Sequence, residues 1–358
     1  MHLTHLRLRD FRNYARLDVP LEPGFHLLVG DNAEGKTNVL EAVYLLATLR
    51  SFRGVGAQQL VRHGAKGWFA GADLVATATH ALKMYWSPSE RRLAVDGRPV
   101  RKLAEFYGLL RAVVFCTEDL QLVKGTGRSR RRFLDLILAQ TQPGYLALLQ
   151  RYARALRSRN ALLKRPAPDE AVLRGFSREL VEVGEKVLVH RHALLPRLSP
   201  LARLAHRRIS RDADELRLDY RPGVRGDFAV ELEESRGRER TLRVTVTGPH
   251  RDDVALLVNE RPAAQFGSEG QKRTVALALK VAQAEYLAGV TGTPPILLLD
   301  DVMGELDAHR RAGLLPLLGQ VHQRRGQVFM TCTEENWPVG LGLDLHRWRV
   351  RAGTLERG

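Results

Sequence analysis

A glycine-rich segment near the start of the chain has the spacing of a phosphate-binding loop, since Gly30-Asp31-Asn32-Ala33-Glu34-Gly35-Lys36-Thr37 matches G-x-x-x-x-G-K-T. Glycines are needed where a Cβ would block the turn of successive backbone N–H groups around a phosphate. Lys36 would place its charge at the β- and γ-phosphates, and the Thr37 hydroxyl would ligate Mg²⁺. The segment predicts a triphosphate site. The alternative is a turn that only reverses the chain.

Two adjacent carboxylates, Asp300 and Asp301, follow the apolar run Ile296-Leu297-Leu298-Leu299. A carboxylate at the end of a buried strand beside a phosphate-binding loop is where Mg²⁺ is held, and we assign this role to Asp300. Asp301 would orient or deprotonate the attacking water, so it joins Lys36 as a candidate catalytic residue. Solvated surface carboxylates are the alternative, which the four preceding apolar residues disfavour.

A third motif, Gly267-Ser268-Glu269-Gly270-Gln271, precedes a glycine- and proline-free helix predicted from Lys272 to Leu287. Ser268 and Gln271 have the spacing of a capping box, which would only close the helix N-terminus. The same hydroxyl and free N–H groups could instead bind a γ-phosphate. The motif by itself leaves both readings open.

The elements around the loop support a strand-loop-helix unit. Phe25 to Val29 is an apolar run suited to a buried strand, and Asn38 to Leu49 is predicted as a helix whose N-terminus faces the anion. Two strands before it meet at Phe11-Arg12-Asn13. From the residues alone, Arg12 could reach a phosphate or be solvated, and the surface position is favoured.

The remaining chain is predicted from periodicity and turn residues. An antiparallel sheet is expected from Phe69 to Val100, with Asp96-Gly97 as a hairpin turn, followed by a strand over Ala112 to Cys116. Thr247 to Asp253 is expected to be a turn with satisfied polar groups. The predicted helices are Phe133 to Gln140, Tyr145 to Leu163, Val172 to Ala193 and Leu201 to Ile209; the later strands are Leu216 to Tyr220, Phe228 to Glu233 and Leu242 to Val246.

Positive charge is concentrated in one part of the chain. The 358 residues carry a net charge of +16, and the segment from Lys124 to Arg211 has 20 Lys and Arg against 6 Asp and Glu. Arg151, Arg154 and Arg157 recur at i, i+3 spacing on neighbouring helix faces. A solvated helical face is the alternative, but such an excess favours a polyanionic partner held through its phosphates.

Several classes of protein are disfavoured. Cys116 and Cys332 are the two cysteines of the chain, and neither has a neighbour at metal-ligand spacing, so reduced core thiols are expected. The N-terminus lacks an apolar signal core, and no apolar run approaches the roughly 20 residues that span a bilayer. We expect a cytoplasmic protein with no membrane partner.

Taken in order, these motifs resemble those of ATP-binding cassette (ABC) ATPases. More than two hundred residues separate Lys36 from Ser268, whereas transporter cassettes usually have about a hundred between the same motifs. Over essentially its full length the chain resembles the RecF family. The stretches that carry the resemblance are DFRNY from Asp10, GDNAEGKTNVLEAVY from Gly30, RRRFLD from Arg130, TGPHRDD from Thr247, GSEGQKR from Gly267 and LLLDDVMGELD from Leu297.

The resemblance implies a homodimer that closes on two ATP molecules. Ser268, Gly270 and Gln271 of one copy would complete the site built on Gly30 to Thr37 of the other. The D-loop, represented by Glu305 and Asp307, would cross the interface. Arg12 and Asn13 would lie near the nucleotide.

The resemblance also implies a task in recombinational DNA repair. Such a protein would bind double-stranded, gapped or junction DNA and, with RecO and RecR, promote RecA loading. Three departures from the family pattern suggest a slow ATPase in which hydrolysis resets the clamp. No obvious Q-loop glutamine follows the Cys116 strand, where Glu118 or Gln121 are the candidates. Thr331-Cys332-Thr333 lacks a switch histidine, and Gly127 stands where the family tends to have proline.

We therefore predict an α/β fold: an ABC-ATPase head, made of a P-loop core sheet and an antiparallel β subdomain, with an inserted mainly helical second lobe. The ATPase lobe would comprise residues 1–115 and 212–358, and the basic helical lobe residues 116–211. One alternative function is the energy-coupling ATPase subunit of an ABC transporter, which would need an exposed apolar docking surface. A nuclease would need a further acidic metal cluster, which the sparse carboxylates after Asp307 disfavour.

Overall fold

The computed structural model describes residues 1–210, 213–333 and 345–358, with the side chains of Glu305 and His322 outside the description. The strands are β1 His2–Phe11, β2 Tyr14–Pro20, β3 Gly24–Val29, β4 Trp68–Val75, β5 Thr79–Trp86, β6 Arg91–Val95, β7 Arg98–Pro99, β8 Ala112–Phe115, β9 Leu216–Arg221, β10 Asp253–Val258, β11 Arg261–Pro262, β12 Ile296–Leu299, β13 Gln327–Cys332, β14 Leu345–Arg351 and β15 Thr354–Arg357. The helices are α1 Lys36–Thr48, α2 Gln121–Lys124, α3 Gly127–Thr141, α4 Tyr145–Leu163, α5 Glu170–Ser210, α6 Phe228–Glu234, α7 Arg236–Leu242, α8 Ala263–Phe266, α9 Glu269–Thr291, α10 Val302–Glu305 and α11 Ala308–Gln323.

The central sheet has the order β15-β14-β3-β13-β12-β8, and its strands are parallel except for β15. The strands β8 and β12 are buried along their whole length, as their continuous apolar runs require. Because β13 lies between β3 and β12, the carboxyl ends of these three strands meet at one edge of the sheet. This edge carries the residues that follow each strand, and it confirms the expected α/β core.

A second sheet of order β2-β1-β4-β5-β6-β7 is antiparallel, as expected, and a three-stranded sheet joins β11, β10 and β9. Asp96 and Gly97 form the two-residue turn between β6 and β7, with φ of 53° and 78°, so the predicted hairpin is confirmed. The inner face of the second sheet packs with α1 and the central sheet in one hydrophobic cluster.

The helical part of the chain differs from expectation at α5. Two helices are predicted there, but one helix runs from Glu170 to Ser210 through Pro196 and Pro200. Each proline removes one backbone hydrogen bond, yet the C-terminal half of the helix is buried against α9 in the central cluster. Tertiary packing therefore keeps the helix continuous where local signals end it.

Two predicted strands are wrong. Residues 228–233 form helix α6 instead, because Asp227 caps it by accepting a hydrogen bond from the Val230 backbone N–H at 2.9 Å, and Phe228 and Leu232 bury one helical face. The segment 242–246 contains the end of α7, which stops at Arg243 in a left-handed conformation. The apolar residues at i and i+4 fit a helix as well as an alternating strand.

The helices of residues 116–210 contribute to more than one core. The C-terminal half of α5 joins the central cluster, whereas Tyr152, Leu180 and Phe228 belong to a separate cluster formed by α4, α5 and α6. The predicted lobe boundaries at 115 and 212 stay predictions. Among the residues described, no helix has both the length and the apolar character needed to cross a membrane.

The expected turn at 247–253 is confirmed and its histidine is satisfied. The Nδ1 atom of His250 accepts from the Tyr152 hydroxyl at 2.7 Å, and its Nε2–H donates to the Thr245 carbonyl at 3.0 Å. Burial lowers the pKa of His250 to about 4, so the neutral ring fits these two bonds. Cys116 is buried and Cys332 half-buried, and both are free thiols.

Candidate functional site: a phosphate-binding loop facing two carboxylates

The glycine-rich loop connects β3 to α1, so the predicted strand-loop-helix unit is confirmed. Helix α1 begins at Lys36, and the N–H groups of its first turn point towards the loop. Gly35 has φ of 118°, and a Cβ at this position would lie 2.6 Å from Nδ2 of Asn13. The turn therefore requires glycine for both its conformation and its packing.

Lys36 is almost fully buried, with 4% of its surface exposed. Its Nζ donates to the carbonyl of Gly30 at 2.6 Å and to that of Asp31 at 2.9 Å. The ammonium group is thus held inside the loop, where the phosphate-binding geometry needs a positive charge. The neighbouring Asn32 and Ala33 are exposed at the tip of the loop.

The turn between β1 and β2 supports the loop from behind. Asn13 donates from Nδ2 to the Glu34 carbonyl at 2.7 Å and accepts from Nδ2 of Asn38 at 2.8 Å. The Tyr14 hydroxyl donates to the Gly35 carbonyl at 3.2 Å. These bonds make Asn13 a positioning residue for the loop, and its contact with the nucleotide stays a prediction.

Arg12 is directed towards α1 and is not a solvated surface residue. Its Nε and Nη2 donate to the fully buried carboxylate of Glu41 at 2.8 and 2.9 Å, and Nη1 donates to the Gln59 carbonyl at 3.0 Å. Ser51 also donates to Glu41. This bidentate pair fixes the first strand to α1. The sequence alone did not identify Glu41, whose local signal is a charged residue within the mainly apolar part of α1.

The strand β12 delivers Asp300 to the loop. The Thr37 hydroxyl donates to Oδ1 of Asp300 at 2.8 Å, so the two residues assigned to Mg²⁺ are adjacent although 263 positions apart. Burial is the main influence on the Asp300 carboxyl and raises its pKa, against hydrogen bonds from Thr37 and Thr331 that lower it. A bound cation would stabilise the ionised form of this buried carboxylate.

Thr331 is a site residue that sequence reasoning noted only as the absence of a histidine. It is the penultimate residue of β13, which lies between β3 and β12. Its hydroxyl lies 3.0 Å from Oδ1 of Asp300 and 3.3 Å from Oδ1 of Asp301. The same oxygen accepts from the Asp301 backbone N–H at 2.9 Å. Asp301 is exposed in a left-handed conformation with φ of 53°. Thr331 therefore sets the position of the carboxylate assigned to the attacking water.

The donor set fits Mg²⁺ held largely by phosphate and water. One hydroxyl and one carboxylate, from Thr37 and Asp300, converge at the edge of the sheet. Within the described residues, no group of three or more His, Cys, Asp or Glu could hold a metal by itself. Mg²⁺ commonly takes one or two protein oxygens and completes its octahedron with substrate and water.

The third motif begins α9, and both halves of its capping box are formed. The Ser268 hydroxyl accepts from the Gln271 N–H at 3.1 Å, and Oε1 of Gln271 accepts from the Ser268 N–H at 2.9 Å. Ser268 is exposed, and Gly270 follows in the first turn. Across the described part of the chain, no hydrogen bond joins these residues to the glycine-rich loop. The structure therefore presents this helix end outward, and its role in a partner's site stays a prediction.

The loop after β12 is tied to α9. Asp307 accepts from the Arg310 backbone N–H at 2.8 Å, a bond that is the first cause of the lowered pKa of its carboxyl. Arg310 also donates from Nε to the Thr274 hydroxyl at 3.0 Å. Arg310 thus connects the predicted D-loop to the helix that carries Ser268. The backbone of Glu305 ends α10, and its side chain lies outside the described residues.

Comparison with known proteins gives consistent matches. The family model described as RecF/RecN/SMC N terminal domain matches residues 2–338. A protein of Symbiobacterium thermophilum named DNA replication and repair protein RecF is 42% identical over 376 residues, covering 99% of this chain and 98% of its own. The solved structure of the recombination mediator protein RecF-ATP in the RecFOR pathway superposes with a TM-score of 0.90 at 28% identity, covering 100% and 97% of the two chains.

A more distant likeness concerns the fold alone. An Smc head domain from Pyrococcus furiosus, bound to the C-terminal domain of ScpA, has a TM-score of 0.57 at 15% identity and covers 96% of that chain. Both solved structures superpose on nearly the whole chain, with TM-scores above 0.5. The predicted ABC-ATPase head is confirmed at the level of the fold.

Proposed function

The chain belongs to the RecF family of DNA replication and repair proteins, and from this we propose that it is an ATP-dependent DNA-binding protein of recombinational repair. The observation that carries the proposal is the 2.8 Å bond between Thr37 and Asp300, which joins the phosphate-binding loop to the strand carrying the acidic pair. The solved relative named RecF-ATP supports ATP as the ligand.

The residues divide the work of binding and hydrolysis. Lys36 and the α1 N-terminus would hold the β- and γ-phosphates, and Thr37 with Asp300 would hold Mg²⁺. When bound, the ion would neutralise phosphate charge. Asp301, positioned by the Thr331 hydroxyl, would orient or deprotonate the attacking water. Slow turnover is proposed because Thr331-Cys332-Thr333 has no switch histidine.

ATP would act by closing two copies of the chain on each other. The exposed N-terminus of α9, with Ser268, Gly270 and Gln271, would bind the γ-phosphate of the nucleotide in the partner copy. Arg310 would transmit that contact to the loop containing Asp307. The closed dimer would grip duplex or gapped DNA through phosphates and, with RecO and RecR, promote RecA loading; the RecFOR pathway of the solved relative supports these partners.

Fluorescence anisotropy of labelled duplex, gapped and single-stranded DNA, with and without ATP and Mg²⁺ at one stated salt concentration, tests the proposal. Tight binding to duplex or gapped DNA that requires ATP is the expected result. Equal duplex binding with and without ATP would contradict the clamp, because the protein would then act as a passive electrostatic surface.

A further inference from the structure

The second sheet has an outer face that the ATPase site does not use. Its inner face is built from buried side chains of β1, β4 and β5, among them Leu6, Leu8, Ala70, Leu82 and Met84. Because successive side chains of a strand point to opposite faces, the residues between them point away from the core. The outer face is thus free of the packing that fixes the inner one.

The strand register places five outward residues in one row across the sheet. Arg16 is opposite Arg9, Arg9 is opposite Phe69, Phe69 is opposite Tyr85, and Tyr85 is opposite Arg92. With about 4.8 Å between strands, the row is about 19 Å long. We call it the aromatic row: two adjacent aromatic side chains with arginines on both sides.

The two aromatic side chains are accessible in different ways. Tyr85 is 37% exposed, and Phe69 is half-buried. The Phe69 ring leans along its own strand over Gly71, where a Cβ would lie 2.8 Å from Cζ of the ring. Glycine at this position therefore lets the ring lie close to the sheet surface, where a flat ligand could cover it.

Positive charge surrounds the aromatic row. The side chains of Arg9, Arg16 and Lys83 make no hydrogen bond or ion pair within the described ranges, and Lys83 neighbours Gly71 in the adjacent row. Arg7 is neutralised by Asp73, with N–O distances of 3.1 and 2.7 Å. Among the described residues, Arg9, Arg16 and Lys83 are therefore cations of this face that form no ion pair or hydrogen bond.

Arg92 shows the interaction that such a face favours. Its guanidinium carbon lies 6.0 Å from the centre of the Tyr85 ring, and it also pairs with Glu90. A cation beside a ring is attracted by the negative potential of the ring face. Tyr85 thus has a cation over one face of its ring, and 37% of the residue is still exposed to solvent.

We propose that the aromatic row is a binding platform for single-stranded nucleic acid, separate from the ATP-dependent duplex site. Exposed aromatic side chains on a sheet stack on unpaired bases whatever their sequence, and flanking cations bind the phosphates. An acidic protein surface would use the arginines but gain little from two accessible rings. Duplex DNA would use the cations alone, because its bases are already stacked. The inference takes nucleic acid as the ligand class from the proposed function but needs neither ATP nor dimerisation.

The test is anisotropy of a labelled 15-nucleotide oligo(dT) with the full-length chain in the absence of ATP. Tyr85→Ala and Phe69→Leu should each raise Kd about tenfold, whereas Tyr85→Phe should leave it within twofold. Phe266→Ala is the matched control, since Phe266 is an exposed aromatic residue, 65% exposed, on another surface. Unchanged oligo(dT) affinity in both Tyr85→Ala and Phe69→Leu would overturn the proposal.

Two further measurements distinguish a loss of the single-strand platform from misfolding and from a failure of the ATP-dependent clamp. Arg9→Gln with Arg16→Gln should lower the slope of log Kd against log salt for oligo(dT) by about 1.4, at about 0.7 per phosphate contact. Photocrosslinking of 5-iodouracil oligonucleotide should map to Phe69 or Tyr85, and crosslinks confined to other surfaces would contradict the platform. If the oligo(dT) results are as expected but duplex binding does not require ATP, the proposed clamp is wrong and the platform stands. If duplex binding requires ATP but the oligo(dT) results are not as expected, the platform is wrong and the clamp stands.

Discussion

At the scale of single residues, the site depends on polar side chains that are already held in place. Lys36 is oriented by two loop carbonyls, and Asp300 by the hydroxyls of Thr37 and Thr331. Groups oriented before the ligand arrives lose little entropy when they bind it. Changes at these positions should therefore affect nucleotide chemistry more than folding.

Lys36→Met should reduce ATP binding below detection, a loss of more than about a hundredfold, because charge-assisted bonds to the phosphates contribute about 1.5–3 kcal/mol each. Isothermal titration with ATP and Mg²⁺ measures this. Lys186→Met, at an exposed lysine on α5, is the control and should bind normally. Retained affinity in Lys36→Met would remove Lys36 from the site.

Thr331→Val should slow ATP hydrolysis at least tenfold while ATP binding stays within a few-fold. The change keeps the side-chain volume but removes the hydroxyl that accepts from the Asp301 N–H. The free energy of unfolding should therefore also fall by about 1–3 kcal/mol. Thr331→Ser keeps the hydroxyl and is the control. Steady-state turnover and urea unfolding provide the readouts, and normal turnover in Thr331→Val would refute the positioning role.

At the scale of elements, helix ends and helix contacts determine which surfaces can meet a partner. Helix α9 is buried along most of its length but starts with an exposed capping box. Removing a cap costs about 1 kcal/mol of stability. We therefore expect the protein to stay folded when Ser268 is replaced. The exposed start of the helix can therefore be tested separately from its buried part.

Ser268→Arg should leave ATP binding intact and prevent ATP-dependent dimers, because a long cation would occupy the space of the partner's γ-phosphate. Sedimentation velocity with and without ATP checks this. Ser268→Thr, which can still cap α9, is the control and should dimerise. ATP-dependent dimers of Ser268→Arg would exclude the proposed role of α9 in the partner's site.

A buried ion pair fastens α4 to α7. Arg159 and Glu239 are 1% and 0% exposed, with a separation of 2.6 Å. Arg159→Met should lower the free energy of unfolding by about 3–5 kcal/mol, since it leaves a buried carboxylate without its partner. The control is Arg240→Met, which breaks an exposed pair with Glu170 and should cost less than about 1 kcal/mol. Equal denaturation midpoints for the two variants would contradict this account.

At the scale of the whole molecule, the positive charge of the helical region is partly neutralised by ion pairs within the protein. Arg130, Arg159 and Arg191 pair with acids outside residues 124–211, namely Asp253, Glu239 and Asp252. The exposed remainder includes Arg154 and Arg157 on α4. A local charge count therefore overstates the surface available to a polyanion, because tertiary folding pairs some of the arginines.

Arg154→Gln combined with Arg157→Gln should weaken ATP-dependent duplex binding and lower the slope of log K against log salt by about 1.8, at about 0.9 per phosphate contact. ATP turnover without DNA should not change, since neither residue belongs to the nucleotide site. Anisotropy at several salt concentrations gives the slope. An unchanged slope would place the duplex on another surface.

The features that depend on neighbouring residues were predictable from the chain alone. The glycine-rich loop, the capping box at Ser268, the hairpin at Asp96-Gly97 and the strand ending at Asp300 all follow from local backbone and side-chain chemistry. Its motifs, taken in order, also pointed to the correct family.

Contacts between distant residues, in contrast, are set by the packing of the whole fold. Packing kept α5 helical through two prolines, against local signals, and the burial of Phe228 and Leu232 accompanies a helix where the local pattern fits helix and strand equally. Strand order placed Thr331 between the loop and the acidic pair, and strand register aligned Phe69 with Tyr85. These contacts depend on sheet order and strand register. Both are specified by which side chains become buried when the whole chain folds, and local sequence patterns do not show this.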